Sequence, residues 1–208
     1  MTAALSLSVT ACASPPDADT SSGVHDPYEG WNRRVFACNV VVDKATLEPA
    51  AKAYRAITPR IARTGVRNVL SNLGAPGEIE NDVLQGNPDR AGTTFSRFAV
   101  NSTFGLAGIF DVAAASGLEG HREDFGQTLA VWGVDSGPFL VLPIAGPSNA
   151  RDLVGTGVDV AINPLTWTVI EDEDTDRTVD ITRGALGALS ARESLIETFD
   201  TLREQPEP

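Results

Sequence analysis

In the middle of the chain the usual interleaving of apolar and charged positions stops. Between Phe125 and Ala150 the only charged side chain is Asp135. Inside that stretch residues 139–145 (FLVLPIA) form an apolar run bracketed by Gly137-Pro138 and Gly146-Pro147. Proline fixes its own φ and biases the preceding residue away from helix, so both pairs predict turns. Pro143 removes a backbone donor within the run, which fits neither a regular helix nor a central strand. The run is too short to span a bilayer, which takes about 20 apolar residues. An uncharged, irregular segment of this kind is expected either to cross the core or to face something apolar.

Elsewhere the pattern is helical. Trp31, Val35, Cys38 and Val42 recur at helical spacing, which places Cys38 on an apolar stripe as a buried small hydrophobe. Residues 44–57 are the clearest amphipathic segment: Lys44, Glu48, Lys52 and Arg55 share one arc, and Leu47, Ala50, Tyr54 and Ile57 another. Pro49 marks the start of regular helix and Pro59 ends the segment. The next helix groups Val66, Val69, Leu70 and Leu73 on one face and Arg60, Arg63 and Arg67 on another. Residues 72–76 predict a break before a short helix carrying Ile79, Val83 and Leu84, stopped by Gly86-Asn87-Pro88. Ala91, Phe95, Phe98 and Ser102 continue the helical period, and Gly105 and Gly108 then permit close backbone approach. Residues 183–203 predict a final helix. The acidic run at 171–176 is expected to be a solvated loop, because no loop glycine and distal glutamate follow at calcium-site spacing.

Composition narrows the function. The formal net charge is −12, which argues against nucleic acid as a partner. Residues 33–67 nevertheless carry eight Lys/Arg against two acids, so the remainder is more acidic still. The chain reads as four pieces: residues 1–11 as part of a lipoprotein signal, residues 12–25 as an acylated Cys12 with a flexible tether, residues 26–203 as the folded domain, and residues 204–208 as a tail. Two histidines and two cysteines, all isolated, support no metal cluster. A Ser-His-Asp arrangement would have to use His121, and no Gly-x-Ser-x-Gly elbow supplies its serine. No catalytic residue, metal or cofactor is assigned.

Three ordered blocks, DPYEGWNRRVFACN (26–39), NSTFGLAGIFDVA (101–113) and DFGQTLAVWGVDSGPFLVLPIAGPSNARD (124–152), resemble the MlaA/VacJ family of bacterial outer-membrane lipoproteins. Gln85-Gly86 and Arg97-Phe98 match as well, and residues 191–196 match more weakly. Cys38 and Trp31 depart from the family pattern, as does Asp200-Thr201-Leu202. The resemblance implies an all-α fold: a ring of amphipathic interfacial helices with an irregular apolar segment and no transmembrane helix. It also implies a lipid-anchored protein at the outer membrane, facing the periplasm. Such a protein takes misplaced phospholipids from the outer leaflet, associates with a trimeric porin, and passes lipid to a periplasmic carrier. A periplasmic lipid-binding module without a membrane ring, and a lipid hydrolase, are the other classes.

On that footing Cys12 is the expected acylation site. Phe139, Leu140, Val141, Leu142 and Ile144 are candidates for the lipid path. Arg60, Arg63 and Arg67 are candidates for headgroup contact; a plain solvated face and pairing with the chain's own acids are the alternatives.

Overall fold

The computed structural model describes residues 26–163, 173–198 and 201. It is mostly helical, with one small hairpin as the exception to the expected all-α class. Asp26 starts the fold by accepting hydrogen bonds from the Tyr28 N–H and the Asn32 amide. Helix α1 (Glu29–Val42) runs through a π-helical turn (Asp43–Leu47) into α2 (Glu48–Ile57). The wider turn lies immediately before Pro49, whose ring would clash with the carbonyl four residues back in a regular α-helix. Thr58 is extended, as a residue before proline should be.

Helix α3 (Arg60–Leu84) is continuous for 25 residues with Pro76 inside it. The expected break at 72–76 therefore does not occur. Packing against α4 (Pro88–Thr103) and α8 (Glu173–Ser194) holds the helix through the missing donor. Asn87 caps α4 through Arg90 N–H, and Pro88 occupies the first turn, where its lack of an N–H is harmless.

The loop after α4 turns on glycine. A Cβ on Gly105 would meet the Phe110 carbonyl at 2.3 Å, and one on Gly108, whose φ is +92°, would meet Asn72 Cβ at 2.6 Å. Both glycines are close-approach positions, as expected. Asp111 caps the short α5 (Val112–Ala115) and Asp124 caps α6 (Phe125–Val131).

The apolar run is not irregular throughout. Strand β1 (Phe139–Leu142) pairs antiparallel with β2 (Gly146–Asn149), Phe139 opposite Asn149 and Leu142 opposite Gly146. Pro143 falls in the connecting turn, so it removes no ladder bond. The outer edge of β1 is closed by side chains of α1. Asn32 donates to Phe139 O (3.1 Å) and accepts from Val141 N–H (2.7 Å). Asn39, two turns on, donates to Leu142 O (2.9 Å) and accepts from Ile144 N–H (2.8 Å). Two amides seven residues apart thus stand in for a third strand on an edge that would otherwise be open.

Helix α7 (Ala150–Ile162), capped by Asn149, crosses α6 at a point where a Cβ on Gly155 would come within 2.3 Å of Gly126 N. Helix α8 (Glu173–Ser194) begins earlier than the expected 183 and takes in part of the acidic run, which is therefore helical from 173 rather than a loop.

The distribution of polarity is inverted. The largest fully buried side chains are Asn81, Thr128 and Asp82. Asn81 donates to Asp159, which accepts the Phe125 N–H, while Thr128 donates to Asn81, so one polar network ties α3, α6 and α7. Buried apolar residues are mostly small: Ala51, Ala75, Ala91 and Ala113, with Val35, Val141 and Ile196. Large apolar side chains lie outside instead, including Ile57, Ile61, Phe95, Phe104 and Ile144. Trp31, expected on the buried stripe, is exposed, and Cys38 is a half-buried free thiol. Single exposed apolar residues are ordinary; an apolar exterior over a polar interior is not. Among the described residues no helix is long and apolar enough to cross a membrane.

Candidate functional site

A cavity of about 1040 Å³ lies between α3, the 105–111 loop and α8. On α3 its wall is the stripe Ile61, Gly65, Val69 and Leu73, each one turn from the next. Ile109 and Phe110 come from the loop, and Val179 and Leu186 from α8. Arg60, Asp111 and Arg183 are the charged residues of its lining. Loop and helix are fastened closely: a Cβ on Gly65 would stand 3.3 Å from Ile109, and Asn68 donates to Ile109 O at 3.0 Å.

The loop's far end is held by a polar clasp. Asp111 accepts from Arg97 (2.9 Å), from the Asn101 amide (3.0 Å) and from Ala114 N–H (3.0 Å). Burial pushes its carboxyl upward, but these donors outweigh burial and hold it below the usual range. Asn101 in turn accepts Ala113 N–H.

Beside the cavity is a basic cup of about 430 Å³, lined by Arg55, Arg60, Arg63, Arg67, Glu193, Ser194 and Glu197. Glu193, buried, pairs with Arg63, with Arg67 at 3.2 Å and with Arg55 at 3.9 Å; Arg55 also pairs with Glu197. The three headgroup candidates are thus brought together, but not as a free face towards a membrane. The Arg63 side chain is only 12% exposed, and its partner, like that of Arg67, is the chain's own acid. The neighbouring Arg192 binds Asp43 with two nitrogens at 2.7 and 3.0 Å, so residues 192–193 knit α8 to the N-terminal helices.

The lipid-path candidates fall elsewhere. Phe139 and Ile144 are exposed, Leu140 and Leu142 half-buried, and Val141 is 4% exposed, so Val141 belongs to the interior. None of the five lines the large cavity; Phe139 and Val141 border a smaller cleft of about 380 Å³ with Arg33, Phe36 and Pro147. The expected acylation site, Cys12, lies outside the described residues. The α3 wall was visible as the apolar face with Val66, Val69, Leu70 and Leu73. The α8 wall was not, since Val179 and Leu186 sit in a sequence without clear periodicity.

A polar node merits comparison with catalytic and metal sites. Asp82, His121 and Glu123 place one ligand atom each within 4.8 Å of one another. Arg90 already pairs with Glu123 and lies 3.7 Å from Asp82, supplying the positive charge an ion would bring. His121 Nε2 faces both Asp82 oxygens and also Thr94 Oγ1, while Thr94 donates to Asp82. A relay needs the acid and the nucleophile on opposite ring nitrogens. Here one nitrogen meets both, so the three groups do not form such a relay.

The family model described as MlaA lipoprotein matches residues 24–208. An uncharacterised protein of Rickettsia prowazekii (strain Madrid E) is 43% identical over 152 residues, covering 73% of this chain and 61% of its own length. The chain thus spans about three fifths of that relative. The intermembrane phospholipid transport system lipoprotein MlaA of Haemophilus influenzae is 37% identical over 172 residues, 80% of this chain and 68% of that protein. The protein of the same name from Escherichia coli (strain K12) is 32% identical over 99% of this chain and 81% of its own. A solved structure described as the structural basis for maintenance of bacterial outer membrane lipid asymmetry superposes with a TM-score of 0.71 at 32% identity, covering 89% of this chain and 92% of that one.

Proposed function

The chain belongs to the MlaA lipoprotein family, and from that premise we propose that it removes phospholipids misplaced in the outer leaflet of the outer membrane and hands them to a periplasmic carrier. The observation that carries this reading is the cavity of about 1040 Å³ walled by Ile61, Val69, Leu73, Ile109, Phe110 and Leu186. Such a wall offers acyl chains dispersion contacts and no hydrogen-bonding demand. The exposed Ile57 of α2 and Ile61 of α3 suit helices lying in a lipid interface, arranged as a ring rather than spanning it. Cys12 would be the acylated anchor, a trimeric porin the lateral partner, and the domain would face the periplasm. Transport rather than catalysis is the role, since moving a lipid between membranes asks for a path and not for a nucleophile.

The test is lipid retention. The purified chain, extracted in mild detergent, should carry phospholipid detectable by mass spectrometry. Val69→Asp and Leu73→Asp should release it while leaving the helical circular dichroism intact. Lipid retained unchanged in both variants would remove the cavity from the path. Retention by a chain that stays water-soluble without detergent would favour a soluble lipid-binding module instead.

A further inference from the structure

The basic cup and the apolar cavity are not separate features. Arg60 lines both, so one residue borders a space suited to hydrocarbon and a space suited to an anion. The cup sets four arginines against two glutamates, in a chain whose formal charge is −12. Its hydrogen-bond donors also outnumber their acceptors. The single Glu193 carboxylate is shared by Arg55, Arg63 and Arg67. Arg63 Nε is buried with no partner, and Arg60 has no ion-pair partner among the described residues. Buried donors are normally satisfied, and Arg63 contributes an unsatisfied one to a cup already rich in cations.

We propose that this cup is a phosphate-ester subsite: it holds the phosphodiester of a phospholipid whose acyl chains occupy the adjoining cavity. Guanidinium is the side chain best matched to phosphate oxygens, because its donors form a planar fork. Arg60 lies where glycerol backbone and phosphate meet, and Arg63 and Arg67 share Glu193 as their resting counterion. Entry of a phosphate redistributes donors that Glu193 alone cannot satisfy. Because the Arg63 side chain is only 12% exposed, docking of a flat membrane surface does not reach it. This inference rests on the lipid-handling reading above.

The test compares three ligands on the purified full chain: dihexanoyl phosphatidylglycerol, dihexanoylglycerol with the same chains but no phosphate, and glycerol 3-phosphate with no chains. Phosphatidylglycerol should bind about tenfold or more tightly than dihexanoylglycerol, as charge-assisted hydrogen bonds require. That margin should shrink with added salt. Arg60→Gln should abolish most of the margin. The double variant Arg63→Gln/Glu193→Gln removes both buried charges together and so avoids stranding one; it should do the same. Equal binding of the two lipids by the wild type would overturn the cup while leaving the cavity reading intact. Binding of neither would overturn the lipid reading and the cup with it. Glycerol 3-phosphate binding as tightly as the phospholipid would overturn the lipid source in favour of a soluble phosphate ester.

Discussion

Asn32→Ala tests whether α1 really acts as the missing neighbour of the hairpin. Asn32 is 5% exposed and holds three groups: the Val141 N–H, the Phe139 carbonyl and the Asp26 carboxylate. Truncation strands the Val141 N–H at a residue 4% exposed, and a buried unpaired donor costs about 1–3 kcal/mol. The lost bond to Phe139 O adds about 1 kcal/mol, and the bond to the turn at Asp26 less. The expected loss is therefore about 2–4 kcal/mol. Asn39→Ala removes as many hairpin bonds, but Ile144 is 76% exposed, so water can satisfy its N–H; about 1 kcal/mol is expected there. Asn32→Asp is no rescue, since it loses the donor to Phe139 O and puts a second carboxylate beside Asp26. The assay is amide hydrogen exchange. If the hairpin opens locally, Val141 exchange in Asn32→Ala should accelerate by roughly two orders of magnitude, with a much smaller change in Asn39→Ala. Unchanged Val141 exchange, or the same acceleration from both substitutions, would refute the reasoning.

Gly108→Ala places a Cβ at positive φ and 2.6 Å from Asn72 Cβ; it should lower stability by at least about 2 kcal/mol in denaturant titration, far more than an exposed glycine such as Gly92 replaced likewise. Acid stability should show two opposing groups of carboxyls. Glu78 and Glu80, raised by burial, contribute stability that is present below 4.5 and lost as pH rises through their folded values, while Asp111, held down by its donors, contributes stability that is present above 3.8 and lost as pH falls through its folded value. Denaturation midpoints should therefore rise on mild acidification and fall below pH 3.8, and Asp111→Asn should flatten the acid limb; an unchanged limb would free Asp111 of that role. Mass spectrometry of membrane-bound protein from a native host should find Cys12 as the first residue, diacylated or triacylated, and Cys12→Ser should release a folded domain; intact unmodified protein in the membrane would exclude the anchor.

Much of the architecture was written locally. Helical periodicity located α1 to α4, the Gly-Pro pairs placed turns on both sides of residues 139–145, and Gly105 and Gly108 announced a close approach that Asn72 and Phe110 make. Three ordered blocks were enough to point to the family. Periodicity shows that a helix has an apolar face; it does not say whether that face meets protein or lipid. The fold turned Ile57, Ile61 and Trp31 outward and put Asn81, Asp82 and Thr128 inside. Pro76 reads as a helix stop in any local window, and only packing against α4 and α8 carried α3 through it. The basic arc on α3 was legible, but its partner was not. Arg63 and Glu193 are 130 positions apart, and no local pattern encodes a contact that exists only once α8 has folded back across α3. The cavity is the same kind of object. Its stripe on α3 is a property of sequence, whereas its opposite wall, its depth and the arginine it shares with the cup are decided by which segments tertiary packing brings together.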